Sequence, residues 1–132
     1  MARTERERPL VLVVDDVEDS RSMVRDFLAF RGFEVAVAED GEEAVAQARA
    51  LLPDLILMDV WLPKLDGLSA TRQLKAGGDT GHIPIIALTA HAVQDAQSEA
   101  VDAGCDAVIT KPFFPDDLEK QVRRHLGEEQ EE

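Results

Sequence analysis

Hydrophobic positions fall into five short runs separated by longer stretches of helical period. The runs are Leu10 to Val14, Phe33 to Ala38, Leu55 to Met58, Ile83 to Leu88 and Ala107 to Ile109. Strands that alternate with helices in this way predict βαβ units and a parallel sheet. LVLVV, LILM and IPIIAL are almost unbroken apolar runs. Strands covered on both faces require that, so the first, third and fourth are read as central. EVAVAED mixes polar and apolar positions and reads as an edge strand. The fold class is therefore α/β, with helices on both faces of five parallel strands.

The intervening segments carry apolar stripes at helical spacing. Met23, Val24, Phe27 and Leu28 form one face of a first helix, and Ala44, Val45, Ala48, Leu51 and Leu52 one face of a second. A third helix spans Leu68 to Ala76 and is ended by Gly77 and Gly78. A fourth, Ala92 to Ala103, has a shallow stripe of Val93, Ala96, Ala100 and Val101, which predicts loose anchoring. The fifth opens with Pro115, Asp116 and Asp117, carries Lys120, Arg123 and Arg124 later, and stops at Gly127. Phe113 and Phe114 are read as anchors of that last helix.

Composition narrows the picture. The chain has 132 residues, 45% of them hydrophobic, and a formal charge of −13. That length makes one domain with a real core. The expected organisation is a disordered arm over 1–8, a domain over 9–127 and an acidic tail over 128–132. Residues 1–9 carry +1 and 127–132 carry −4, so the remaining −10 belongs to the fold itself and disfavours direct binding to nucleic acid. No apolar stretch reaches the roughly 20 residues of a membrane span, so a cytoplasmic protein is expected, with no membrane partner. Cys105 is the sole cysteine and reads as a small buried hydrophobe. The histidines at 82, 91 and 125 have no zinc spacing.

The chemistry lies at the carboxyl ends of the runs. Asp15 and Asp16 follow the first, Asp59 the third, Thr89 the fourth, and Thr110, Lys111 and Pro112 the fifth. In a doubly wound parallel sheet these ends share one edge, where ligands bind at the switch point of strand order. Asp15 and Asp16 alone read equally as a helix-capping pair; Asp59 and Lys111 in register make them part of a site. Three carboxylates about 4 Å apart repel by roughly 4 kcal/mol per pair at an effective dielectric near 20, so the pocket needs positive charge. Lys111 supplies one charge and a hard divalent ion such as Mg²⁺ the rest. Metal, lysine and hydroxyl together form a phosphoryl-binding set, in which a carboxylate can be the nucleophile.

LVLVVDD, LILMDVWLPKLDG, IIALTA and VITKPF, in this order and spacing, resemble the receiver domain of two-component response regulators, from about Leu10 to Leu126. The resemblance implies a flavodoxin-like strand order, 2-1-3-4-5. It implies that Asp59 is the phosphoacceptor, taking a phosphoryl group from a sensor histidine kinase or a histidine phosphotransfer protein. Asp16, Asp59 and the main-chain carbonyl of Trp61 would hold Mg²⁺, with Asp15 acting through a water. Thr89 and Lys111 would contact the phosphoryl group, and the Lys111–Pro112 bond would be cis. Switching would reposition Thr89 and change binding to a downstream protein partner.

The usual aromatic residue at the switch position is here Val108, which leaves Thr89 and its following loop to carry any switching. Trp61 and His91 occupy positions that tune hydrolysis of the acyl phosphate in that family. The expected role is thus a stand-alone signalling switch rather than an enzyme, with no room for an output domain. Three rivals remain. A metal-dependent phosphohydrolase with an aspartyl nucleophile needs a carboxylate two residues after Asp59, where Trp61 stands. A flavin module needs a phosphate-cradling loop where DDVEDS stands. A receiver excised from a hybrid kinase would share every motif.

Overall fold

The computed structural model describes residues 8–90 and 94–127, and the side chains of all of these except 94–97. The element order is β1 (Leu10–Val14), α1 (Glu18–Phe30), β2 (Glu34–Ala38), α2 (Gly41–Leu51), β3 (Leu55–Asp59), α3 (Gly67–Ala76), β4 (Ile85–Thr89), α4 (Gln94–Ala103), β5 (Ala107–Thr110) and α5 (Pro115–His125). All strands pair in parallel in the order β2-β1-β3-β4-β5. β1, β3 and β4 are central and fully buried, and β2 lies at one edge, as the run composition predicts. No helix of the described residues is long and apolar enough to cross a membrane.

Alternation along each central strand divides the core in two. Leu12, Val14, Ile56, Met58, Ile85 and Ala87 face α2 and α3 and meet Ala44, Val45, Ala48, Ala70 and Leu74, with Ala100 of α4 joining them. Val11, Val13, Leu55, Leu57, Ile86 and Leu88 face α1 and α5 and meet Val24, Leu28, Leu118 and Val122. Cys105 is buried in the first cluster, as its small apolar character predicts.

Several positions depart from the pattern reading. Met23 is 51% exposed, so the stripe of α1 narrows to Val24, Leu28 and a half-buried Phe27. Leu51 and Leu52 are also exposed, at the point where α2 ends and Leu52 caps it in the left-handed region at φ 48°. Phe33 is buried just before β2, and Ile83 and Pro84 precede β4, whose pairing begins at Ile85. Three strands run further than expected, to Asp59, Thr89 and Thr110, which carries the polar residues onto the sheet edge itself. In α4, Ala100 is buried and Val101 exposed, while Val93 and the side chain of Ala96 lie outside what is described. Phe114 is 75% exposed; Phe113 alone of the pair packs against the core.

At the end opposite the acidic residues, α5 is fastened to α1. Buried Glu119 accepts Arg123 Nε at 2.8 Å and Arg31 Nε at 3.0 Å, and Arg123 donates to the Arg31 carbonyl at 3.0 Å while its guanidinium lies over the Phe33 ring. Arg31 is half exposed, which screens its half of the pair. Glu119→Ala is expected to cost about 1–2 kcal/mol in urea unfolding, since it leaves Arg123 without its nearest carboxylate. An unchanged midpoint would mean that the pairing adds nothing to the docking of α5.

Candidate functional site

Strand register and pleat together assemble the acidic edge. Val14 is the partner of Met58, which sets Asp15 beside Asp59, and Asp59 is the partner of Leu88, which sets Thr89 one position beyond. Pleat parity then decides which way each points. Asp15 continues the series Val11, Val13; Asp59 continues Leu55, Leu57; Lys111 continues Ala107, Ile109. All three series belong to the face covered by α1 and α5. Thr89 continues Ile85 and Ala87 of the other face and is buried at the end of β4.

The side chains converge. Carboxylate oxygens of Asp15, Asp16 and Asp59 all lie within 4.8 Å of one another. Lys111 Nζ is 3.0 Å from Asp59 Oδ2 and 3.5 Å from Asp15 Oδ2. Asp59 Oδ1 accepts the Trp61 main-chain N–H at 3.1 Å. Asp15 is 1% and Asp59 6% exposed, whereas Asp16 is exposed. The Lys111–Pro112 peptide is cis, and Lys111 N–H donates to the Thr89 carbonyl at 2.7 Å, so the last two strand ends are joined at the site.

Charge in this pocket is out of balance. Burial pushes the Asp59 carboxyl above its ordinary value of 3.8; Lys111 opposes the rise and Asp15 adds to it. Burial would lower the Lys111 ammonium, yet the carboxylates of Asp59 and Asp15 overcome it and hold the lysine above its ordinary value of 10.5. One lysine among three carboxylates leaves net negative charge in a partly dry site. Hard oxygen donors with that deficit suit a divalent cation of the magnesium type.

Of the sequence-derived candidates, Asp15, Asp16, Asp59 and Lys111 come together. Trp61 is 62% exposed, and its main-chain N–H is its contact with Asp59. Val108, at the switch position, is half-buried and packed against the α2/α3 side of the core. His91 lies outside the described residues. Two residues escaped the motif reading. Ser20 Oγ donates to Asp15 Oδ2 at 2.6 Å, and Arg21 Nη1 donates to the Asp15 carbonyl at 2.9 Å. A signal for Ser20 exists: it stands four residues before Val24, a polar residue on an apolar stripe.

Comparison with known proteins agrees with this geometry. A family model for the response regulator receiver domain matches residues 11–123. The polar-differentiation response regulator DivK of Brucella anthropi is 36% identical over 118 residues, covering 89% of this chain and 96% of that protein. Among solved structures, the receiver domain of a sensor histidine kinase from Pseudomonas aeruginosa PAO1 superposes with a TM-score of 0.86 at 36% identity, over 91% of this chain and 98% of that one. That structure has a magnesium ion coordinated in its active site cleft. The chemotaxis protein CheY4 of Vibrio cholerae superposes with a TM-score of 0.84 at 32% identity, over 89% of this chain and 98% of that one. With a family model spanning most of its length and the acidic edge assembled at the sheet's switch point, this chain belongs to the response regulator receiver domains of two-component signalling.

Proposed function

We propose that Asp59 is the phosphoacceptor of this receiver and that its conversion to an acyl phosphate is the event that switches the protein. The observation that carries the reading is Lys111 Nζ at 3.0 Å from Asp59 Oδ2, inside a cluster where Asp15 and Asp16 also converge. An Asp59 oxygen attacks the phosphorus of a phosphohistidine on a histidine kinase or phosphotransfer protein. A new P–O bond forms as the P–N bond breaks, and its electron pair leaves with the imidazole. Asp16, Asp59 and the main-chain carbonyl of Trp61 would hold Mg²⁺, with Asp15 acting one shell further out through water. The ion supplies charge neutralisation for the transferring phosphoryl group.

The chain's own residues supply the rest. Lys111 lies against Asp59 and is placed to take up charge that appears on the phosphoryl oxygens. Thr89 stands buried at the adjoining strand end, where its hydroxyl can follow the same oxygens. A shift of Thr89 would be passed to β5 through its carbonyl, which accepts from Lys111 N–H, and so toward the surface that a downstream protein reads. Val108 offers no ring to swing in response. The phosphohydrolase reading lacks its second carboxylate, because Trp61 fills that position.

Incubation with a small phosphodonor such as acetyl phosphate tests the reading on a phosphate-retarding gel. A retarded band is expected with MgCl₂ and none with EDTA. Absence of the band at saturating Mg²⁺, or its equal appearance in EDTA, would overturn the assignment.

A further inference from the structure

Asp15 is held from three directions by the start of α1. Its Oδ2 accepts Ser20 Oγ at 2.6 Å, its Oδ1 accepts Val17 N–H at 2.9 Å, and its carbonyl accepts Arg21 Nη1 at 2.9 Å. Arg21 is itself steadied by Glu39 at 3.6 Å in the segment before α2. Lys111 Nζ also approaches Asp15 Oδ2, at 3.5 Å, but stands nearer to Asp59 Oδ2 at 3.0 Å. A carboxylate offers about four lone-pair sites. Three of those on Asp15 already face protein donors, which leaves about one for a solvent molecule.

We propose that Ser20 is a positioning residue for the acidic site. Its hydroxyl occupies Asp15 Oδ2, confines that carboxylate to contact through water, and leaves Lys111 to Asp59. The inference rests on the magnesium-dependent phosphoacceptor reading given above. Without the hydroxyl, and with Arg21 engaged by the Asp15 carbonyl and Glu39, the freed oxygen of Asp15 faces the Lys111 ammonium. It would close the 3.5 Å gap to Lys111, drawing the lysine from Asp59 and pairing the charge that magnesium would otherwise meet. Groups that orient a ligand from behind typically change metal affinity by about 10 to 100-fold, and the effect here is expected near the lower end. Ser20 also lines an open groove of about 400 Å³ with Met23, Ala90, Lys111, Pro112 and Phe113, so the extra methyl of threonine has room.

Calorimetric titration of the full chain with MgCl₂ tests this on the parent, Ser20→Ala and Ser20→Thr, with melting temperatures taken in EDTA. Ser20→Ala is expected to raise the Kd for Mg²⁺ about tenfold without a lower melting temperature, and Ser20→Thr to keep the parental Kd. Equal affinity of Ser20→Ala and the parent would overturn the positioning role and leave the phosphoacceptor reading standing. Weak binding by both variants would also overturn it, since the hydroxyl would not be what matters. Loss of melting temperature in EDTA by Ser20→Ala would assign Ser20 to the scaffold instead. A parent that takes up no Mg²⁺ would overturn both readings.

Discussion

Asp59→Asn is expected to fold, to take no phosphoryl group from acetyl phosphate, and in EDTA at pH 7 to melt above the parent. The first part follows from chemistry: an amide oxygen is a poor nucleophile and carries no charge for Mg²⁺ to meet. The second follows from burial. Asp59 has a raised pKa in the folded protein, so the folded state holds its proton more tightly than the unfolded chain does. Ionised Asp59 therefore weakens the fold above that raised value, and the penalty disappears below the ordinary value of 3.8. Replacing it removes that penalty at neutral pH, since burial already outweighs the opposing contact with Lys111 in the net rise. The advantage of the variant should fade as the pH is lowered toward 4.

Magnesium should reverse the order. An ion present at a hundred times its Kd adds about 2.7 kcal/mol to the parent, and the variant, short of one anionic ligand, gains much less. Melting curves of both proteins in EDTA and in MgCl₂, at pH 7 and pH 4.5, check the crossing. Persistent phosphoryl labelling of Asp59→Asn would move the acceptor elsewhere; a variant that melts lower in EDTA at pH 7 would contradict the electrostatic account.

Gly67→Ala is the second large effect expected. Gly67 opens α3, and its N–H donates to the Val60 carbonyl at 2.9 Å, so the helix start rests directly on the strand end that carries Asp59. A Cβ there would collide with the main-chain oxygen of Asp59 and stand 2.9 Å from Val60 Cα. Both obstacles are backbone, so neither can rotate aside. Overpacking of this kind costs about 3 kcal/mol and displaces the acceptor's own peptide, so both the urea midpoint and the rate of phosphorylation should fall. Gly78→Ala is the control, since a Cβ at that position meets nothing within 4 Å. Equal stability of the two variants would show that the α3–β3 contact relaxes freely.

The strands that carry the site were legible because both of their faces are covered. LVLVV and LILM are continuous apolar runs, and the polar residue that ends each one stands out against them. What the runs do not display is depth at the ends of helices. Met23 and Leu51 satisfy the helical period yet are exposed, because spacing marks a face of the helix and not how far along that face the sheet covers it. Site residues within quoted motifs were likewise legible, since each motif ends a strand. Ser20 was marked only by its place on an apolar helical stripe, and its meaning depends on which strand the helix crosses. Gly67 belongs to a quoted motif, but the closeness of its backbone to Asp59 is a property of three dimensions.

The alternation that carries Val11 and Val13 into Asp15, Leu55 and Leu57 into Asp59, and Ala107 and Ile109 into Lys111 behaves as a two-letter reading frame. Gain of a single residue inside any of these strands would shift the frame and turn the terminal charge to the opposite face of the sheet, though every motif residue would still be present. Loops at the far end carry no such frame and are free to vary in length. Descendants of this gene should therefore record their insertions and deletions there, while β1, β3 and β5 keep a fixed count of residues up to each functional group.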